Sequence, residues 1–108
     1  MLKADTTTLA AIVDQCFDYS MDGRFSLKQQ NVFLTDGKRL RGSLLNLLSA
    51  RFDDGTQAVL DANEQLTKIN TRLEDSAAVL AHVAQTLKDI ATLVGNLDQL
   101  LNVATSFL

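Results

Sequence analysis

The chain of 108 residues contains no proline and no tryptophan, and only 6% of its residues are aromatic. Without proline, no position forces a helix to break. Few aromatic residues and few runs of β-branched residues argue against a β-sandwich or barrel. The apolar fraction of 46% and the charged fraction of 21% exclude a disordered chain. The composition therefore predicts an all-α protein of one domain.

Cysteine and histidine each occur once, as Cys16 and His82. A single cysteine cannot form an internal disulfide, which suits a reducing compartment. A structural zinc site normally takes four cysteine or histidine ligands, so one residue of each type cannot build it. Cys16 falls on an apolar helix face, where we expect it to be buried, and His82 falls where we expect it to face solvent. We therefore predict no metal ligand and no catalytic residue.

Long uncharged apolar segments are also missing, so we expect neither a spanning helix nor a signal peptide and interpret the protein as cytoplasmic. The five glycines are scattered and form no phosphate-binding loop. The carboxylate pairs Asp53-Asp54 and Glu74-Asp75 stand in polar surroundings, where they are expected to cap helices. Residues 90–108 lack the basic polar face of a helix that lies on a membrane. We predict a non-enzymatic protein without a cofactor or membrane contact.

The first clear pattern is an amphipathic helix over residues 6–20. Its apolar side chains recur at helical spacing along one face, at Leu9, Ile12, Val13, Cys16 and Phe17. Asp5, or one of the three threonines that follow it, can cap the start of this helix. Gly23 can end it, because glycine readily adopts the left-handed conformation found after helices.

Residues 24–52 admit two interpretations. Ser26 is a suitable N-cap for a short helix that ends at Leu34, Thr35-Asp36-Gly37 is a turn signal, and leucines at helical spacing predict a second helix over 38–52. The alternative is a β-hairpin of residues 31–34 and 39–43 that turns at Asp36-Gly37. We favour two short helices, because the leucine-rich segment suits a helix and contains no β-branched residue.

The longest pattern is a heptad repeat from residue 56 to the end. Alternate steps of three and four from Val59 meet apolar residues at every position except Ser76. A period of about 3.5 residues kept over this length is typical of a coiled coil. The sequence therefore predicts two or three short helices over 1–54 and one long coiled-coil helix over 55–108, in a single folding unit.

The register of the repeat predicts how many helices meet. Leucine dominates the a positions and β-branched residues occupy several d positions, which disfavours a parallel dimer. The apolar stripe also widens late in the helix, as in a bundle of about four helices. We predict a homo-oligomer, a tetramer rather than a dimer, and another helical protein is a second candidate partner. The predicted interface consists of Leu66, Ile69, Leu73, Leu80, Val83, Leu87, Ile90, Val94, Leu97 and Leu101.

One segment weakens the prediction of a continuous helix. Glu74-Asp75-Ser76 places polar groups across the stripe, and Asp75 can cap a new helix. A fold-back there would make two antiparallel helices within one chain. We favour the continuous helix, because the heptad phase crosses this segment without a slip and the segment contains neither glycine nor proline.

Charge is unevenly distributed along the chain, although the net charge is only −3. Basic residues dominate 24–51, whereas acids dominate 57–108. Lys38, Arg39 and Arg41 are the best candidate contacts for an acidic partner or for nucleic acid. If two short helices flank the turn at 35–37, this segment has helix-turn-helix proportions.

These patterns lead to two hypotheses of function. The first is a structural or adaptor protein that self-associates and mediates protein–protein interaction. The second is a small nucleic-acid-binding regulator that uses Lys38, Arg39 and Arg41. We favour the adaptor, because the second predicted helix is almost wholly apolar after Arg41 and the chain is net acidic, whereas DNA-binding domains are usually basic.

Overall fold

The computed structural model describes residues 2–107, and these residues are mostly helical. The predicted all-α fold class is confirmed. The helices are α1 (Thr6–Ser20), α2 (Leu27–Leu47), α3 (Gln57–Glu74), α4 (Ser76–Ala81) and α5 (Val83–Leu101). Two short strands, β1 (Ala50–Arg51) and β2 (Ser106–Phe107), follow α2 and α5.

Helix α1 begins and ends where the sequence predicts, but the left-handed conformation expected at Gly23 is wrong, since among the described residues Gly55 is the glycine with a positive φ. The Asp5 carboxylate caps it by accepting hydrogen bonds from the backbone N–H of Thr8 at 3.1 Å and from the Thr8 hydroxyl at 2.7 Å. Its apolar stripe faces the core, because Leu9, Ile12 and Cys16 are fully buried. The local signals of capping and helical period therefore suffice for this element.

Helix α2 is one helix of 21 residues, so both the pair of short helices and the alternative β-hairpin are wrong. Its start was predicted correctly at Ser26. The Ser26 hydroxyl accepts from the backbone N–H of Gln29 at 3.1 Å, and the Gln29 side chain accepts from the backbone N–H of Ser26 at 3.0 Å. This reciprocal capping box satisfies two N–H groups that the first helical turn leaves unpaired. The helix then continues through the turn signal at 35–37.

Gly37 lies inside α2 because α1 passes too close for a side chain at that position. A Cβ atom there would lie 3.2 Å from the Cβ of Cys16 and 3.2 Å from the Phe17 ring. A glycine within a helix costs about 1 kcal/mol relative to alanine. The close contact between α1 and α2 offsets that cost, so tertiary packing overrides the turn tendency of this glycine.

The predicted continuous helix over 55–108 is wrong, because the chain folds back at Asp75, between α3 and α4. The Asp75 backbone leaves the helical region, with φ −99° and ψ 89°, and its carboxylate accepts from the backbone N–H of Ala78 at 3.2 Å. The Tyr19 hydroxyl donates to the Leu73 carbonyl at the end of α3. A side-chain cap and a tertiary hydrogen bond thus stabilise the fold-back alternative.

Four helical segments surround one core, since α1 and α5 each contact both α2 and α3. Helices α1 and α3 run parallel, as two hydrogen bonds between them show. The Asn63 side chain accepts from the backbone N–H of Asp5 at 2.7 Å, and the Asn70 side chain accepts from Gln15 at 2.8 Å. Helices α2 and α5 run in the opposite direction, and a bend at His82 joins α4 to α5.

Extended backbone closes the end of the bundle where α1 and α3 begin. Leu2 and Phe52 exchange two backbone hydrogen bonds of 2.8 and 3.0 Å, and β1 pairs antiparallel with β2. Phe52 and Ala50 are fully buried beneath this backbone. In the described part of the chain, the opposite end is formed by the connection between α1 and α2 and by the fold-back at Asp75.

Three aromatic rings form a cluster near that opposite end. The ring centroids of Tyr19, Phe25 and Phe33 lie between 5.3 and 5.6 Å apart. All three residues are buried, and Phe33 has no exposed surface. Rings at these separations interact favourably beyond the burial of their area. The cluster therefore joins the end of α1 to the first half of α2.

Candidate functional site

The side chains predicted as an oligomer interface lie in or beside the core of their own chain. Those that are buried are Leu66, Ile69, Leu73, Ile90, Val94 and Leu97. Those that are partly buried and packed against the core are Leu80, Val83, Leu87 and Leu101. The heptad stripe therefore holds α3, α4 and α5 against the rest of the same chain.

The basic cluster Lys38, Arg39 and Arg41 lies in the middle of α2, with no turn before it. The helix-turn-helix interpretation is therefore wrong. All three side chains are exposed, but at about 100° per residue Arg39 points to the opposite flank of the helix from Arg41. The structure thus separates Arg39 from the other two cations.

Lys38 and Arg41 share one face of α2 with exposed leucines. Leu27, Leu45 and Leu48 are 78%, 61% and 51% exposed. At about 100° per residue, the side chains of this face fall within about 80° of the helix circumference. We call this surface the docking face, and it consists of Leu27, Leu34, Lys38, Arg41, Leu45 and Leu48.

The docking face borders the contact between α1 and α2. Gly37 is its neighbour on the helix surface and lies against the ring of Phe17, which is itself partly buried. Met21 follows α1 directly and is 75% exposed. The apolar surface therefore extends from α2 onto the adjoining side of α1.

The exposed surface of α2 is positively charged. Its exposed cations are Lys28, Lys38, Arg39 and Arg41. Its one acid, Asp36, is buried. Within residues 2–107 the side-chain ion pairs join Arg24 to Asp22 and Lys68 to Glu64, and neither involves a cation of α2. These cations are therefore available to a negatively charged partner.

Asp36 lies on the flank of α2 opposite the docking face, beside a shallow groove that Lys28 and Arg39 also line. Asp36 is 7% exposed, and its Oδ2 atom has no hydrogen-bond partner among the described residues. Burial raises the pKa of the Asp36 carboxyl, and the Arg39 guanidinium lowers it in part. A buried carboxylate that lacks a partner at one oxygen destabilises the fold when it is ionised.

We expect Asp36→Asn to raise the free energy of unfolding at pH 7 by about 1 kcal/mol, because it removes a poorly solvated charge. A raised pKa in the folded state means that stability falls as pH rises through that pKa. The advantage of the variant should therefore shrink as pH falls below the ordinary pKa of 3.8, where the parent carboxyl is also neutral. Urea unfolding at several pH values measures this difference.

Asp98→Asn, a change at an exposed position of α5, is the matched control and should stay within about 0.5 kcal/mol of the parent. An Asp36→Asn protein that is less stable than the parent at pH 7 would contradict the prediction. That result would mean that the ionised carboxylate has a favourable role in the folded chain.

Cys16 and His82 take the environments predicted for them. Cys16 is fully buried, and its burial, with a contribution from the charge of Asp36, raises the pKa of its thiol to about 12. Such a thiol stays protonated at neutral pH and is a poor nucleophile. His82 is exposed at the bend between α4 and α5. Among the described residues, no group of three or more His, Cys, Asp or Glu side chains is placed to hold a metal ion.

The fold and the docking face define a small helical bundle with an exposed apolar and basic surface. No family model, curated protein or solved structure matches this chain. Across residues 2–107, no helix combines the length and apolar character needed to cross a membrane. The docking face is therefore interpreted from its own chemistry.

Sequence reasoning found the cations of the docking face but missed its leucines. It assigned the leucine-rich segment to a helix that began after a turn at 35–37. When 27–48 is read as one helix, Phe33, Leu40 and Leu47 form the core stripe, and Leu27 and Leu45 fall outside it. Leu45 and Leu48 share the side of Lys38 and Arg41 already in a helix over 38–52, whereas Leu27 and Leu34 align with them only when the helix is continuous.

Proposed function

We propose that this protein is a non-enzymatic adaptor that binds another protein through the docking face. The observation that supports the proposal is the exposure of Leu27, Leu45 and Leu48 on the same face as Lys38 and Arg41. Single exposed apolar residues are ordinary, but a row of them beside charged residues is typical of a protein-binding surface. The proposed partner covers the leucines and pairs with the cations.

The charge of the docking face favours an acidic partner. Two docking faces placed together would bring Lys38 and Arg41 of both copies close to one another, and such like charges disfavour association. An amphipathic helix with leucines on one side and acids beside them supplies both complements. Helices of this kind commonly bind by laying their apolar side into a groove between helices.

A synthetic peptide tests this proposal directly. The probe is a labelled amphipathic helix with leucine at alternating spacings of three and four residues and glutamate at the flanking positions. We expect Leu45→Ser combined with Leu48→Ser to weaken its binding about tenfold, which corresponds to about 1.4 kcal/mol. Lys38→Gln combined with Arg41→Gln should also weaken peptide binding, and the loss of affinity should be larger at low salt than at high salt. Fluorescence anisotropy measures both effects.

Matched controls on another face are Leu60→Ser on α3, where the leucine is 44% exposed, and Lys88→Gln on α5. Both should leave the affinity for the peptide unchanged. A scrambled peptide of the same composition should bind more weakly, because it lacks an apolar side. Equal binding by the parent and the Leu45/Leu48 variant would refute the docking face as the binding surface.

Nucleic acid is the second candidate partner, because α2 exposes Lys28, Lys38, Arg39 and Arg41 without an exposed acid. The probe is a mixed-sequence DNA duplex at low salt. Binding that falls steeply as salt rises, and that is insensitive to Leu45→Ser and Leu48→Ser, would replace the adaptor proposal with a nucleic-acid function. No binding at micromolar protein would remove this alternative.

A further inference from the structure

We propose that two copies of this chain exchange the segment that follows Asp75, forming a dimer in which residues 57–101 become one continuous helix. The exchanged segment, called here the arm, consists of α4, α5 and β2. Each arm would pack on α2 and α3 of the other copy instead of its own. This proposal is argued from the hinge and the arm and does not rest on the proposed adaptor function.

The hinge between α3 and the arm is Asp75, and the bend at His82 within the arm must also straighten to give one continuous helix. Helix α3 ends at Glu74 and α4 begins at Ser76, so only Asp75 departs from helical geometry between them. Its ψ angle is 89°, and a rotation of about 130° brings it to the helical value of about −42°. His82, with φ −132° and ψ 42°, needs a smaller change of ψ, of about 85°. Neither residue is glycine or proline, so both can adopt the helical conformation without strain. Short hinges of this kind favour exchange between copies.

The apolar pattern is compatible with the open form as well as with the closed one. The heptad phase runs without a slip from Leu66 and Leu73 before the hinge to Leu80 and Leu87 after it. In a continuous helix these side chains therefore lie on one face. The same stripe that packs α3 against α5 within one chain would pack each half of the long helix against the other copy.

Two interactions hold the hinge closed, and both have defined partners. In a continuous helix the Leu73 carbonyl would accept from the backbone N–H of Ala77. In the closed chain it accepts from the Tyr19 hydroxyl instead. The Asp75 carboxylate caps α4 by accepting from Ala78 at 3.2 Å, a bond that exists only when a helix begins there. Loss of either interaction favours the open form.

Exchange preserves the contacts of the arm and adds new ones at the hinge. The arm contacts α2, α3 and β1 within one chain, and each contact can be remade with a second copy. Met21 and Leu27 are 75% and 78% exposed at the end of the bundle where the hinge lies. The two copies of a swapped dimer meet at that end, so these apolar side chains become partly covered there.

A variant that combines Tyr19→Phe with Asp75→Ala tests the proposal. Phenylalanine keeps the ring in its aromatic cluster and removes only the hydroxyl, and alanine removes the cap. We expect the dimerisation constant to rise by roughly several hundredfold, because each dimer opens two hinges, each hinge loses two interactions, and each lost interaction changes an equilibrium by roughly a factor of five. Sedimentation velocity after refolding at low and high protein concentration measures it.

Crosslinking distinguishes an exchanged dimer from a dimer that forms by surface contact. The Asn96 side chain on the arm donates to Gln65 on α3 at 3.1 Å, so cysteines at these two positions report which copy holds the arm. In a Cys16→Ala background, a short bismaleimide should crosslink these two cysteines between chains in the dimer and within one chain in the monomer. Cysteines at Gln15 and Asn70, which link α1 to α3, should be joined within one chain in both states.

A glycine-serine insertion after Asp75 is the variant expected to disfavour exchange. A longer hinge lets α4 fold back without restraint, so this variant should remain monomeric under every refolding condition. A Tyr19→Phe/Asp75→Ala protein that is folded by circular dichroism and stays monomeric would overturn the proposal. If that protein fails to fold, the parent chain is tested in its place. The proposal would then be overturned if the parent forms no dimer after refolding at high concentration, or if its dimers carry the crosslink between positions 65 and 96 within one chain.

Discussion

Phe33→Ala is expected to lower the free energy of unfolding by about 3–5 kcal/mol, the usual loss for a fully buried phenylalanine. Phe33 has no exposed surface and lies within 5.3 Å of the ring centroids of both Tyr19 and Phe25. Truncation removes both ring contacts and leaves a cavity between α1 and α2. The free energy of unfolding of a small domain is only about 5–15 kcal/mol, so the melting temperature should fall severely.

The matched control for this change is Leu27→Ala at the start of the same helix. Leu27 is 78% exposed, so its truncation should change stability by about 0.5 kcal/mol or less. Urea unfolding of both variants gives the comparison. If the two substitutions lower the free energy of unfolding equally, the aromatic cluster does not form as described, and the orientation of α2 is incorrect.

Gly37→Leu is expected to lower the free energy of unfolding by about 3 kcal/mol, at the upper end of the range for overpacking a buried contact. Its first side-chain atom alone would lie 3.2 Å from the Cβ of Cys16, and the remaining three would enter the contact between α1 and α2. Leucine is a far better helix former than glycine. A loss of stability would therefore report the close approach of the two helices, and thermal melts measure it.

Gly42→Ala and Gly95→Ala are the controls for Gly37→Leu. A Cβ at either position meets nothing within 4 Å, so each change should raise stability by about 0.5–1 kcal/mol through helix propensity alone. Stability should therefore fall in Gly37→Leu and rise in the two controls, which separates the effect of packing from that of helix propensity. A Gly37→Leu protein as stable as these two controls would show that α1 and α2 do not approach closely, and that α2 is held in another way.

The local features of this fold were predictable where one residue decides them. Asp5 and Ser26 are polar residues just before helical stretches, and both cap the helices that the sequence predicts there. The buried side of α1 also follows from its spacing of apolar residues. These features depend on neighbours within one or two turns, so the rest of the chain hardly affects them.

The turn at 35–37 was predicted incorrectly because the dipeptide Asp36-Gly37 is compatible both with a tight turn and with a helix packed closely against another. Asp36-Gly37 is typical of a tight turn when only its neighbours are considered. In the folded chain, Gly37 permits contact with Cys16 and Phe17 on α1. Leu27 and Leu34 were missed for the same reason, since they align with Lys38 and Arg41 only when α2 is continuous. Both depend on where α1 lies.

The sequence by itself determined the all-α class, the caps of α1 and α2 and the apolar stripe of 59–101, because capping, propensity and helical period act over a few residues. Only the tertiary structure decided what covers the stripe of 59–101. A continuous helix and a fold-back present nearly the same apolar side chains and differ mainly in the backbone of Asp75 and His82. The fold-back is stabilised by the hydroxyl of Tyr19, which donates to the Leu73 carbonyl from 54 residues away in the chain. Local patterns carry no information about a contact at that separation.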